Sequence, residues 1–212
     1  MRWKWLAYLI ILLGLAMIFS PYIKEQIINY ASSHINQKNI TADEIIRNNK
    51  READFHFDAI NPPSFLDTVR ETAQIDAKAV VGRIEITSVG IDLPIMKGTT
   101  NANMLVGATT MRSDQKMGKG NYPLAGHYMR NSNLLFGPLM NIEVDDEILV
   151  TDLKDDYIYK VTSKKIISAK QSDIIHQTKE TIITLITCDR PTKTDKRLAV
   201  QGKLIKVTKH EE

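Results

Sequence analysis

The sequence predicts an all-β fold, a closed antiparallel barrel or a sandwich of about eight strands, carried behind an N-terminal membrane anchor. Three observations predict it. An uncharged apolar run, Trp5 to Ile23, opens the chain. A polar stretch with helical spacing follows, to about residue 71. From about residue 72, short β-type runs alternate with turn signals. The expected organisation is a tail and anchor over 1–23, an extracellular stalk over 24–71 and a folded domain over 72–212.

Composition agrees. The chain has 212 residues, 43% hydrophobic and 25% charged. Those values exclude wholesale disorder and a polytopic membrane protein. Lys and Arg number 28 and Asp and Glu 25, a net charge of +3. That excess is too mild for a nucleic-acid binder. A single cysteine excludes an internal disulfide and a multi-cysteine zinc site.

The anchor is the first element. As a helix, Trp5–Ile23 spans about 28 Å, close to the ~30 Å apolar core of a bilayer. Trp3, Trp5 and Tyr22 mark its ends, where amphipathic rings favour the interface. Arg2 and Lys4 precede it and favour an N-terminus inside, with the body of the chain outside. The competing reading is a cleaved signal peptide. The run is long for one, and Ser20-Pro21-Tyr22-Ile23-Lys24 lacks an A-x-A site.

In the stalk, Ile27, Ile28, Ala31 and Ile35 recur at roughly helical spacing. Thr41-Ala-Asp-Glu44 is a capping-box pattern, with Ile40 and Ile45 placed as a hydrophobic staple, so a short helix should run to about Asn48. Pro62-Pro63 cannot continue a helix. The β-type runs then follow: Val80–Ile86, Ile91–Met96, Tyr122–His127, Glu147–Thr151, Tyr157–Ser168, Thr181–Cys188 and Arg197–Val207. Asn103–Thr110 fits a short helix or a strand. No glycine-rich phosphate loop, H-E-x-x-H or EF-hand pattern occurs.

Cys188 ends the run Thr181-Ile-Ile-Thr-Leu-Ile-Thr187, and Asp189-Arg190-Pro191 stops that strand. A thiol at a strand end is either a group that meets a ligand or a small buried hydrophobe. A nucleophilic thiol needs a base or a cation nearby. Five histidines are available. His34 lies in the stalk, His56 in the linker and His210 in the tail. His176 lies in a polar loop. His127 follows the small Ala125-Gly126 pair and is the better base by position, though a histidine in such a place, taken alone, is more often a structural or surface residue. Arg190 and Arg197 are the cations near Cys188. Pairing 181–188 antiparallel with the run from Arg197 brings Arg197 close to Cys188 and leaves Arg190 in the loop.

Leu124-Ala-Gly-His127, Thr184-Leu-Ile-Thr-Cys188 and Lys196-Arg197-Leu-Ala-Val200 together resemble the histidine, cysteine and arginine motifs of sortases. The chain is most similar to the class A, housekeeping sortases, transpeptidases of Gram-positive cell surfaces. The T-L-x-T-C match is the most specific. The resemblance covers the anchor and about 72–207. It implies an eight-stranded β-barrel with short helices. It implies cleavage of a C-terminal Leu-Pro-x-Thr-Gly (LPXTG) sorting signal between threonine and glycine. Cys188 would attack the threonine carbonyl and form a thioester. His127 would serve the leaving and incoming amines as acid and base, and Arg197 would hold the substrate and the oxyanion. The incoming amine would belong to the cell-wall precursor lipid II, so the implied partners are LPXTG surface proteins, lipid II and the membrane.

The Leu-Pro part of such a signal needs an apolar groove. Ile186, on the Cys188 face by period two, is a candidate wall. Ile174, Ile175 and Thr187 are further candidates, and each reads equally as core. Some members of the family bind calcium near an early strand and the loop at 170–178. Here only Glu85 and Asp173 offer carboxylates, few for an ion that takes about 6–8 oxygens. No cofactor and no calcium dependence are expected. Two other readings stay open: a thiol hydrolase with the same site, and a non-enzymatic anchored β-domain with an inert cysteine.

Overall fold

A computed structural model describes residues 2–55 and 63–211. His56 and Pro62 lie outside the described residues. Eight strands follow in chain order: β1 (Val80–Ile86), β2 (Ile91–Met96), β3 (Ala108–Thr110), β4 (Asn121–Ala125), β5 (Glu147–Thr151), β6 (Asp155–Ser168), β7 (Ile182–Cys188) and β8 (Lys196–Lys209). They close into one barrel in the order β1-β2-β3-β4-β7-β8-β6-β5. The expected strands are all present, with shifts at their ends. Asn103–Thr110 resolves into both elements, a short helix at Asn101–Met104 and β3.

The expectation of a purely antiparallel sheet is corrected. β2 pairs with β3 in parallel, and so does β4 with β7. Parallel neighbours need a crossover connection rather than a tight turn. The segment between β2 and β3 supplies one. Gly107 enters β3 against Pro94 of β2, too closely for any side chain. The chain leaves β4, builds β5 and β6 across the barrel, and returns through β7.

The interior is filled by alternate residues of the strands. Ile84, Ile95, Leu124, Val150, Tyr159 and Leu185 are fully buried members of one core. Among the described residues three α-helices precede the barrel: α1 (Arg2–Asn36), α2 (Ala42–Asn49) and α3 (Phe65–Thr72). α1 is one continuous helix that contains Pro21. Ile10, Ile11, Leu12, Met17, Ile18 and Phe19 are all exposed along it. A helix apolar around its circumference and this long suits a bilayer span.

The stalk is not a free spacer. Ile28, Ala31 and Ile35 of α1 join the main core. Ser32 Oγ donates to the Val106 carbonyl at 2.6 Å. α2 carries the full capping box, with Glu44 N donating to Thr41 Oγ1 and Thr41 N donating to Glu44 Oε2. Its Asn48 Nδ2 donates to the Val80 carbonyl at 2.8 Å, at the start of β1. The physical reason is burial. The helical spacing of Ile28 and Ile35 makes an apolar stripe, and the barrel wall is the surface that removes it from water. α3 begins at a second capping box, Ser64 with Asp67, a signal present in the sequence but not read there.

Candidate active site

The site lies on the barrel rim where β4 and β7 end and β8 begins. β7 and β8 form an antiparallel pair whose last register is Cys188 opposite Arg197. Directly opposed residues share a face, with Cβ atoms about 5 Å apart. Arg197 Nη1 donates to the carbonyls of Thr194 and Lys196 at 3.0 and 2.9 Å, which fixes the guanidinium in the β7–β8 loop. Arg190 is exposed and lies 3.7 Å from Asp189.

β4 runs parallel to β7 with Ala125 beside Ile186. The register continues past the strand, because Gly126 N donates to the Ile186 carbonyl at 3.1 Å. The next step brings His127 level with Cys188. Phe136 N donates to the His127 carbonyl at 3.0 Å, and Tyr128 bridges Leu135. A Cβ on Gly126 would lie 2.6 Å from the Phe136 ring, so only glycine admits the ring that packs behind His127. His127 and Cys188 are both buried, 3% and 4% exposed.

The other described histidines are elsewhere. His34 stacks on Tyr30. His210 Nδ1 lies 2.7 Å from Asp156. His176 is exposed, with Asp173 3.9 Å away.

Beside the thiol lies a second, smaller apolar cluster. It contains Met104, Met111, Ala125, Ile186 and Cys188, with Tyr128, Ile174 and Ile175 packed against it. Ile186, Ile174 and Ile175 therefore meet on the Cys188 face. Thr187 does not. It is fully buried and alternates to the barrel-interior face with Leu185, so its side chain is turned away from that cluster.

Buried Asn121 at the start of β4 holds the loop that carries the two isoleucines. Its Nδ2 donates to the carbonyls of Ile174 and His176 at 2.9 and 3.0 Å, and its Oδ1 accepts from Thr184 Oγ1 at 2.8 Å. Asn121, Met104, Met111 and Tyr128 escaped the sequence reading. An asparagine heading the strand-like run Asn121-Tyr-Pro-Leu-Ala125 was the available signal.

Burial and charge set the protonation of the pair. Burial pushes the His127 imidazolium down to about 4, and the Lys24 charge adds to this. Burial also pushes the Cys188 thiol up; the Arg197 charge opposes the rise and Asp189 adds to it. At neutral pH the dominant pair is a thiol and a neutral imidazole. The imidazole can take a proton, and the Arg197 charge favours the thiolate. Among the described residues no group of three or more His, Cys, Asp or Glu side chains is gathered around a point that could hold a metal ion. Glu85 accepts from Thr87 at 3.0 Å.

Residues 84–205 match the sortase domain family. The chain is 47% identical over 206 residues to sortase A of Listeria monocytogenes, covering 97% of this chain and 93% of that one. It is 33% identical over 201 residues to sortase A of Bacillus anthracis, covering 94% and 92%. Among solved structures, Listeria monocytogenes sortase A is similar at 54% identity and TM-score 0.61, over 62% of this chain and 90% of that one. A Clostridium perfringens sortase D5 transpeptidase follows at 26% identity and TM-score 0.54, over 65% and 86%. The chain belongs to the sortase family of cysteine transpeptidases, and its similarity to relatives named sortase A sets it with the class A, housekeeping members.

Proposed function

We propose that this transpeptidase cuts the LPXTG sorting signal of surface proteins between threonine and glycine and joins the threonine to the amine of lipid II. The cross-strand register of Cys188 with Arg197, beside the strand end that carries His127, is the observation that supports it most. Cys188 Sγ, deprotonated with His127 as base, attacks the threonine carbonyl carbon. The carbon–sulfur bond forms and negative charge moves to the carbonyl oxygen, where Arg197 stabilises it. The intermediate collapses by breaking the carbon–nitrogen bond, and His127 gives its proton to the departing glycine amine. The acceptor amine then attacks the thioester and loses a proton to His127. Sγ leaves as the new amide forms. Ile186, Ile174 and Ile175 receive the Leu-Pro part of the signal, supported by their place on the Cys188 face.

The barrel over 72–212 carries this chemistry, residues 1–23 the anchor, and 24–71 the connection. The basic Arg2 and Lys4 support an N-terminus in the cytoplasm and a catalytic domain outside. No calcium is required; equal rates with calcium and with a chelator would bear this out. The reaction is tested by incubating the protein with an LPXTG peptide and triglycine, then weighing protein and products. A thioester on Cys188 and an amine-exchanged peptide are expected. Free acid as the only product would make the protein a hydrolase and overturn the transfer step.

A further inference from the structure

The catalytic rim adjoins a cleft of about 650 Å³ whose lining includes Lys24, Arg130, Lys193, Phe65 and Pro191. Three of its lining side chains are cations and none is a carboxylate. They come from three distant parts of the chain. Lys24 follows directly on the apolar run that ends at Ile23, so it sits where α1 leaves the membrane. Arg130 is on the loop after His127. Lys193 is on the β7–β8 loop between Cys188 and Arg197.

Among the described residues no ion pair neutralises Arg130 or Lys193. Lys24 Nζ donates once, to the Pro63 carbonyl at 3.0 Å. Arg130 is close enough to repel its charge, while the nearby Glu25, whose Oε1 also accepts from Asn131 N, attracts it more strongly than Arg130 repels it. Like charges gathered around an open cleft favour an anion there, and arginine and lysine suit phosphate oxygens. Pro21, Phe65 and Pro191 give the same cleft an apolar wall at the membrane boundary.

We infer that this cleft binds the phosphate head of the membrane lipid that brings the acceptor amine, seating the lipid at the bilayer surface so that its amine reaches the thioester on Cys188. The inference rests on the reading that the acceptor is membrane-borne. A soluble amine has no phosphate and bypasses the cleft, so the two acceptors separate the two ideas. The head group lies at the depth of Lys24, where the bilayer itself presents it, and the site adds three cations around one cleft.

The test uses the full chain in phosphatidylcholine vesicles with an LPXTG peptide. One arm supplies lipid II in the vesicle, the other triglycine in solution. Arg130→Gln combined with Lys193→Gln should raise the KM for lipid II about tenfold and lower the ratio of lipid to triglycine turnover by a similar factor. Inorganic pyrophosphate should compete with lipid II and leave the triglycine reaction alone. Equal loss with both acceptors would assign the residues to structure and overturn the proposal, and so would an unchanged ratio. If phosphatidylglycerol added to the vesicles slowed the lipid II reaction of the wild type and not that of the variant, the cleft would be a general contact for anionic lipid, and the proposal would fall. Failure of the triglycine arm in the wild type would indict the transpeptidase reading itself.

Discussion

The barrel rim and the helical segment at 24–49 are held to the same barrel by different means. On the rim, position comes from hydrogen-bonded register: Cys188 faces Arg197 because β7 and β8 pair residue by residue, and His127 arrives because β4 continues beside β7. In the helical segment, position comes from a few buried side chains, chiefly Ile28, Ile35 and Ile45. Register fixes direction as well as place, which chemistry needs. Apolar burial is non-directional and fixes a helix to a surface. Damage to the rim should therefore show in rate, and damage to the helices in stability.

The largest effects should come from the rim. Cys188→Ala should abolish both thioester and product while leaving the circular dichroism spectrum unchanged; any remaining product would sink the mechanism. His127→Ala should lower kcat/KM by roughly 10²–10⁴. Arg197→Ala should cost about 10²–10³, the range for losing one oxyanion donor. Arg190→Ala should be nearly silent in the same assay, and equal losses would put the wrong arginine in the site.

Ile28→Ala should sharpen the contrast. Emptying that buried position should cost about 2–5 kcal/mol in chemical denaturation, with little change in turnover of a soluble peptide by the remaining folded protein. If kcat fell as far as stability, the helical segment would be part of the active site.

Gly126→Ala joins the two regimes. It forces a methyl against the Phe136 ring behind His127. A loss of about 1–3 kcal/mol is expected from overpacking, with a fall in kcat as His127 shifts.

The remaining effects concern pH. The folded His127 has its pKa depressed to about 4, below the ordinary histidine value of about 6.5. Above that value neither state is protonated and no penalty applies. As pH falls from about 6.5 to about 4 the unfolded chain binds a proton that the folded chain does not, so stability drops by up to about 1.4 kcal/mol per pH unit. His127→Gln should flatten that acid limb of the denaturation curve. Alkylation of Cys188 should accelerate with pH beyond the range where an ordinary thiol has levelled off, because burial raises the thiol. A rate already level at pH 7 would contradict this.

Much of this was legible in local sequence. The capping box at Thr41 and Glu44 needs only four residues in order, and it forms as written. The Cys188–Arg197 pair follows from one strand, one short loop and the next strand, so counting residues locates it. The β4–β7 pair could not be counted in the same way. Its partners are separated by two other strands, and nothing in Leu124-Ala-Gly-His127 states which strand it will join. Thr187 looked like a groove residue because it adjoins Cys188, but alternation along a strand turns adjacent side chains to opposite faces. The packing of 24–49 was missed for a related reason: helical spacing shows that a stripe exists but not what covers it.

By itself the sequence determined an apolar helix long enough to cross a membrane, a set of strands, one thiol, and one arginine opposite that thiol on the neighbouring strand. Only the tertiary structure decided that β4 runs beside β7, which side chains share the Cys188 face, and that Lys24, Arg130 and Lys193 line one cleft. Local pattern follows from bonding and spacing within a few residues. These meetings depend on which distant segments exclude water from one another when the barrel closes, and that is settled by the packing of the whole chain.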